Sequence, residues 1–287
     1  MSASAARHFA LPLALPRAWK RSVAAHLPRW ARNWREAQYY LRHGELELHF
    51  LDILCAPDRD SIDVGAHDGC YVHFLRKQSR HVHAFEPIPW MAKELTRKFP
   101  QGVTVRPEAL SRAEGTATLH MPLVDGHSVP GCSTLSEAAS SVYGGSQDIR
   151  VPVRRLDDVY DGDVGFIKID VEGLEIEVLE GARATIERCR PNLLIEVVEH
   201  LSPGGLRNVA EFLEPRGYAG HFVQQRNLRP VAAFDRALMQ RPEDYPDLTA
   251  SLDVRERFPR FIYNFIFLPA ERDGDIARRL SGRLAEL

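Results

Sequence analysis

The feature that most constrains the fold is residues 165–182, which read GFIKIDVEGLEIEVLEGA. The apolar first part is typical of a buried strand, and it ends in Asp170 and Glu172 before a glycine leads into an acidic helix start. In an open α/β sheet, the carboxyl ends of the parallel strands border the ligand crevice. The segment therefore predicts a strand that brings two carboxylates to a bound molecule.

Strands and helices alternate in the part of the chain before this segment. The pattern predicts strands over 61–64, 81–85 and 103–106, with helices over 70–78 and 89–99 between them. Alternation at this spacing indicates βαβ units and a parallel sheet. We therefore expect one Rossmann-like α/β domain over residues 51–287, because further strands and helices follow the alternating part.

The N-terminal segment, residues 1–50, is expected to form a basic helical arm. Residues 1–43 contain eight Lys or Arg and one acid, although the whole chain has a net charge of -2. Apolar residues recur at steps of three and four from Leu27 to Leu41, which predicts one face of a helix over 16–43. That face would pack on the domain or in a homodimer. Because basic residues beside Trp suit an anionic interface, peripheral membrane contact is an alternative; nothing downstream supports nucleic acid binding.

The composition is that of an ordinary globular protein, with 44% hydrophobic and 26% charged residues. The four cysteines form no CxxC pair, which suggests neither a zinc site nor a disulfide framework. The apolar stretch over 9–15 is interrupted by Pro12 and precedes the basic residues, the reverse of a signal peptide. We therefore expect a cytoplasmic protein.

The alternating pattern is interrupted by an inserted loop over about 122–148. This Ser/Gly-rich stretch lies between predicted strands over 116–121 and 149–154. Long irregular segments inside compact domains are usually functional loops or disordered ones. The insertion is therefore expected either to face the substrate or to be a surface loop without ligand contact.

The turn after the first predicted strand has the composition of a cofactor site. Gly65 allows a tight turn and Gly69 opens the helix, but the spacing is GxxxG rather than the GxGxxG of dinucleotide sites. Asp63 would repel a pyrophosphate and suit an ammonium group, and Glu86 follows where an acid binds ribose hydroxyls. S-adenosylmethionine has an ammonium group, a ribose and no phosphate, so it is the predicted cofactor. Glu108, after the third strand, is a candidate contact to the adenine.

A series of segments resembles the FkbM-type S-adenosylmethionine-dependent methyltransferases. They are, in chain order, DVGAHDG, HAFEP, PEALS, GCSTLS, RRLDDV, GFIKIDVEGLEIEVLEGA, NLLIEVVEH and NFIFLP. The resemblance covers roughly residues 60–269 and is specific mainly through KIDVEG followed by EVLEGA. It implies a mostly parallel seven-stranded sheet with helices on both faces and an antiparallel last strand, and methylation of a hydroxyl on a sugar or natural product. It also places Asp63, Gly65 and Glu86 at the cofactor, with His67 where the family commonly has Asn.

Methyl transfer to an alcohol needs a base within hydrogen-bond reach of the hydroxyl. The candidates, all at the ends of two successive predicted strands, are His200, Asp170, Glu172 and Glu196. His200 titrates near neutrality, whereas Asp170 has a competing role at the methionine end of the cofactor. The same four side chains could bind a divalent metal ion, but we predict none, because carboxylates at strand ends also bind sugar hydroxyls without metal.

The predicted function is therefore an O-methyltransferase acting on a sugar, glycan or glycosylated natural product. N-methylation of an amino sugar is an alternative, because the same geometry serves both reactions. A nicotinamide-dependent oxidoreductase is disfavoured by the missing third glycine. A cofactor-binding module without turnover is the alternative from a different class.

Overall fold

The computed structural model describes residues 29–124, 127–141, 145–245 and 256–287. The first part of the predicted arm, residues 1–28, and five residues of the predicted insertion lie outside this description. Among the described residues, no helix is long and apolar enough to cross a lipid bilayer.

The described residues form twelve strands. In chain order they are β1 (Asp60–Val64), β2 (Val82–Phe85), β3 (Val103–Arg106), β4 (Ala109–Leu110), β5 (Gly115–Val124), β6 (His127–Ser128), β7 (Ser146–Arg154), β8 (Val164–Ile169), β9 (Asn192–Glu196), β10 (Tyr218–Gln224), β11 (Asn227–Pro230) and β12 (Asn264–Pro269).

Helices cover both faces of this framework. They are α1 (Arg29–His43), α2 (Leu51–Leu54), α3 (Cys70–Gln78), α4 (Pro89–Lys98), α5 (Glu137–Ser140), α6 (Leu156–Val159), α7 (Glu175–Gly181), α8 (Arg183–Cys189), α9 (Gly205–Leu213), α10 (Arg236–Met239) and α11 (Ala270–Glu286). A short 3-10 helix, Leu46–Phe50, precedes α2.

The main sheet has the strand order β11-β10-β12-β9-β8-β1-β2-β3. The five strands from β9 to β3 are parallel, and β12 runs antiparallel to both of its neighbours, β9 and β10. The predicted Rossmann-like α/β fold with an antiparallel last strand is confirmed. The sheet has one strand more than predicted, β11, which forms a hairpin with β10 at the sheet edge. None of its residues is buried, so no alternation of apolar and polar residues indicated a strand here.

The central strands are buried on both faces, as parallel strands between helical layers must be. On one face, Ile62 and Ile167 join a core with α7, α8 and α9. On the other, Phe166 and Leu194 join a core with α3, α11 and the segment 46–54. The side chains that face this second core are therefore packed between the sheet and the N- and C-terminal parts of the chain.

The N-terminal helix α1 is fixed to the edge of the domain that holds the first strands. Ala37 is buried, and the Asn33 amide donates to the Lys98 carbonyl oxygen at the end of α4. The Tyr40 hydroxyl donates to the Asp68 carboxylate in the turn after β1. The opposite face of α1 is exposed and basic, with Arg35 beside Trp34, which is 58% exposed. Membrane contact and dimer formation through this arm stay predictions.

The strands predicted on either side of the insertion, over 116–121 and 149–154, are present as β5 and β7 of a small separate sheet. β5 pairs with β7 over residues 115–122, β4 pairs with β7 in parallel, and β6, inside the predicted insertion, pairs with the end of β5. Leu119 and Val151 are buried and pack with Ile88, which lies just before α4. The small sheet that carries the insertion is thereby attached to the segment after β2, close to the predicted cofactor turn.

Candidate functional site

A crevice of about 1000 Å³, partly open to solvent, lies at the carboxyl ends of β1, β2 and β8. Its floor is formed where the turn after β1 meets the end of β8. Gly65 has a φ of +82°, and a Cβ at this position would lie 1.9 Å from the Asp170 carbonyl oxygen. The two strand ends can approach this closely only because residue 65 is glycine.

Glu86 ties the turns after β1 and β2 together. Its carboxylate is 3% exposed and accepts hydrogen bonds from the backbone N–H of His67 at 2.7 Å and of Ile88 at 2.9 Å. His67 itself has a φ of +46°, a conformation uncommon for a residue with a side chain. Burial raises the pKa of Glu86, and the two N–H groups partly oppose that rise. Glu86 thus shapes the predicted cofactor turn and also lines the crevice.

Asp63 is a buried carboxylate on the crevice wall, and neither of its oxygens has a hydrogen-bond partner in the described part of the chain. It is 1% exposed, and burial raises its pKa to about 7, although Lys168 on the neighbouring strand acts in the opposite direction. Buried polar groups are nearly always paired in native proteins. An unpaired carboxylate that borders a crevice is therefore suited to a ligand that carries a cationic group.

The remaining predicted cofactor residues divide into two groups. His67 and Glu108 line the crevice, together with apolar side chains suited to a purine ring: Ile88, Leu110, Leu119 and Leu135. Gly69 does not line it. A Cβ at Gly69 would lie 2.6 Å from side-chain atoms of both Leu95 and Phe99, so this glycine permits α3 to pack against α4.

The insertion contributes one wall of the crevice. Pro130, Gly131 and Ser133 line it, and the buried Thr134 hydroxyl donates to the Glu172 carbonyl oxygen at 2.7 Å. The described part of the insertion therefore borders the crevice, and its contact with a substrate stays a prediction.

Three carboxylates converge beyond the cofactor turn. One oxygen from each of Asp170, Glu172 and Glu196 lies within 4.8 Å of the others. Lys168 donates to Asp170 at 2.6 Å, and its ammonium group also lies 4.6 Å from the centre of the Tyr71 ring. Such a set of oxygen donors could hold a divalent cation or bind the hydroxyl groups of a polar ligand.

The electrostatics of this acidic group favour proton uptake. Burial, followed by the negative charge of Asp170, raises the pKa of Glu172 well above its usual value. The pKa of Glu196 is raised in the same way by burial, then by Asp170 and Glu45. Burial alone would lower the pKa of Lys168, but the surrounding carboxylates raise it, so Lys168 stays a cation.

The structure does not bring the fourth predicted base, His200, into this group. Its ring packs against Tyr245, with centroids 4.8 Å apart, and against Phe261 at 6.4 Å. His200 is not one of the described residues that line the crevice. Burial and the charge of Arg236 lower its pKa. The strand that ends at Glu196 turns away before residue 200, a change of direction that the sequence did not reveal.

Glu45 is a residue of the site that the sequence did not indicate. It follows α1 directly, lines the crevice, and accepts hydrogen bonds from the Tyr71 hydroxyl at 2.6 Å and the Asn264 amide at 3.1 Å. Gly44, a typical residue after a helix end, was the one local signal that the chain turns here. Glu45 and Asp170 are far apart in the sequence, so no sequence motif contains both residues.

Two sequence comparisons match this chain to methyltransferases. The Methyltransferase FkbM domain matches residues 63–219, more than half of the chain. Methyltransferase sdnD from Sordaria araneosa is 28% identical over 59% of this chain and 78% of its own length.

Two solved structures resemble this chain distantly. Methyltransferase FkbM from Methylobacillus flagellatus KT superimposes with a TM-score of 0.44 at 17% identity, over 86% of this chain and 57% of that longer chain. A putative methyltransferase from Streptococcus mutans, solved in complex with S-adenosylhomocysteine (SAH), gives a TM-score of 0.40 at 11% identity, over 77% of this chain and 95% of that one. On the match over residues 63–219, which includes Asp63, Glu86 and Asp170, this chain belongs to the FkbM family of S-adenosylmethionine-dependent methyltransferases.

Proposed function

We propose that this methyltransferase acts on a hydroxyl of a sugar, a glycan or a glycosylated natural product. The observation that supports this most directly is that Asp170 and Glu172 line the crevice and that one oxygen of Glu196 lies within 4.8 Å of an oxygen of each. Carboxylates accept hydrogen bonds from hydroxyl groups, and a hydroxyl acceptor must give up its proton during methyl transfer. The acidic group provides for both needs.

The residues of the crevice at the ends of β1 and β2 fit S-adenosylmethionine. The unpaired carboxylate of Asp63 suits the ammonium group, and Glu86 has acceptor capacity left for ribose hydroxyls beside its two backbone partners. When bound, the cofactor supplies a methyl group activated by a sulfonium, so the protein has to orient the acceptor and take up its proton.

Within the acidic group, Glu172 is the residue to which we assign proton uptake. Both Asp170 and Glu172 line the crevice, but Asp170 already accepts a hydrogen bond from Lys168 at 2.6 Å, whereas burial raises the pKa of Glu172 well above its usual value, which suits a base at neutral pH. Glu172 also has a φ of +53°, and the Thr134 hydroxyl bonds to its carbonyl oxygen. Backbone strain that the surroundings maintain is frequent at active sites. Glu196 is then the second hydrogen-bond acceptor for the hydroxylated ligand.

The test is methyl transfer to a panel of simple and amino sugars, followed by mass spectrometry and location of the methyl group. O-methylated product on neutral sugars is expected. Product on nitrogen alone would replace the proposal with N-methylation of an amino sugar. SAH binding without product on any sugar would contradict it and favour a binding module. Parallel assays with a chelator distinguish a base mechanism from one in which the three carboxylates hold a cation.

A further inference from the structure

A second cavity, of about 1430 Å³, opens at the same edge of the main sheet. Its walls come from residues 44–47, from the end of β10 and from residues 256–264, which lead into β12. Because β12 begins opposite the carboxyl end of β9, this cavity borders the strand that ends in Glu196. Ligands of open α/β sheets bind at this edge.

The two cavities differ in which part of the chain builds them. Among the described residues, every one that lines the second cavity lies outside the family match of 63–219, except Val223 and the residues after it only by position beyond residue 219, whereas in the lining of the crevice only Glu45 lies outside that match. The crevice is the part that fits the cofactor. A cavity made by other segments of the chain is suited to the other reactant, the acceptor, because function depends on sites added to a shared fold.

Glu45 lines both cavities and is held firmly where they meet. Its Oε2 accepts from Tyr71 and Asn264, and the same Asn264 amide donates to Glu47 at 3.1 Å. Its Oε1 has no hydrogen bond to any residue in the described parts of the chain. One carboxylate oxygen of a fixed side chain is thus available to a ligand that extends from the second cavity toward the crevice.

The lining of the second cavity suits a hydroxylated ring. Phe258 and Tyr263 provide ring surfaces, and the buried Asn264 and Glu47 provide polar atoms beside Glu45. A few polar groups placed among aromatic and apolar side chains are typical of sites for small ligands.

We propose that the second cavity is the acceptor site and that Glu45 positions a sugar there by accepting a hydrogen bond from one hydroxyl, so that a neighbouring hydroxyl reaches Glu172. This inference rests on the proposed function, because it names the site for the acceptor of that reaction. It makes the N-terminal arm, which the family match leaves out, a part of the substrate site.

The experiment measures binding of three probes, the methyl glycosides of glucose, galactose and rhamnose, to SAH-saturated protein by saturation-transfer NMR. The variants are Glu45→Ala and Glu45→Gln; the second keeps an oxygen for Tyr71 and Asn264 and so protects the test against misfolding. Glu36→Gln is the matched control, since Glu36 lies on the same arm, pairs with Lys98 and lines neither cavity.

We expect at least one glycoside signal to fall about five-fold or more in both Glu45 variants, with SAH affinity unchanged and the control like the wild-type protein. Equal signals in wild-type and Glu45 variants, or no signal in the wild-type protein, would overturn the inference. Binding that depends on Glu45 but leads to no methylated product would refute the proposed function and leave the site assignment intact.

Discussion

The cofactor crevice and the second cavity are built in opposite ways. The crevice is formed by residues close in sequence to the strand ends. Glu86, for example, accepts hydrogen bonds from N–H groups of its own turn and of the turn after β1. At the second cavity, Glu45 and Asn264 meet although 219 positions separate them. The difference teaches that the part fitting the cofactor follows from local sequence, whereas the part assigned to the acceptor exists only once both ends of the chain are folded.

The largest effect is expected from Glu172→Gln. Loss of a general base typically costs about 10²–10⁴ in rate, so kcat for methyl transfer should fall by about that factor while SAH affinity stays near the wild-type value. Because the pKa of Glu172 is raised, wild-type activity should increase with pH through a range above the ordinary glutamate pKa. Steady-state kinetics between pH 5 and about 9 would show both effects; an unchanged kcat would contradict the assignment.

Glu86→Ala should affect the other half of the site. The variant leaves two backbone N–H groups without acceptors and removes the carboxylate from the crevice, so the Kd for SAH should rise about 100-fold. Calorimetric titration measures this. Glu94→Ala is the control, because Glu94 is an exposed residue of the nearby helix α4. A Kd for SAH within about three-fold of the wild-type value would show that Glu86 does not bind the cofactor.

Asp63→Asn should change stability and binding in opposite directions. In the folded protein, burial raises the pKa of Asp63 to about 7 from its ordinary value of 3.8, so the folded state keeps a proton that the unfolded state releases between these pH values. Stability of the ligand-free wild-type protein therefore decreases as pH rises through this window. Asparagine cannot ionise, so the variant should be more stable above pH 7 by roughly 1 to 4 kcal/mol.

The same variant should bind SAH about ten-fold more weakly, since it lacks the charge that faces the ammonium group. Thermal unfolding at acid and alkaline pH, with and without SAH, measures both properties. If the melting temperature of Asp63→Asn showed the same pH dependence as the wild type, the assigned protonation of Asp63 would be wrong.

The smallest effect is expected from His200→Ala. Since the ring packs against Tyr245 and Phe261 instead of lining the crevice, methyl transfer should change by less than about three-fold, with a modest loss of thermal stability. A loss of kcat as large as that of Glu172→Gln would restore His200 as the base and contradict its position outside the crevice.

Sequence patterns were sufficient for the parallel strands and for the crevice. The strands β1, β2 and β8 were predicted because each is a short apolar run followed by glycine or acidic residues, a signal confined to a few positions. Asp63, Glu86 and Asp170 line the crevice as predicted, because each ends or follows such a strand.

The remaining features depend on tertiary contacts that produce no periodic pattern in the amino-acid sequence. Strand β11 is mostly exposed, and Glu45 enters the site through its contacts with Tyr71 and Asn264. For Gly69, the pattern was recognised but the reason differs, since the structure places it between α3 and α4 instead of in the crevice. His200 follows a correctly predicted strand, yet its direction is set by aromatic packing.

The position of β12 has a consequence for the order in which the chain can fold. This strand is near the C-terminus, yet it lies between β9 and β10, so the edge of β9 has no partner until residues 264–269 have been synthesised. An unpaired strand edge is prone to aggregation while it stays exposed. The part of the chain that matches the family model, residues 63–219, therefore lacks a central strand of its own sheet, and the sheet can be completed only after residue 269 has been synthesised.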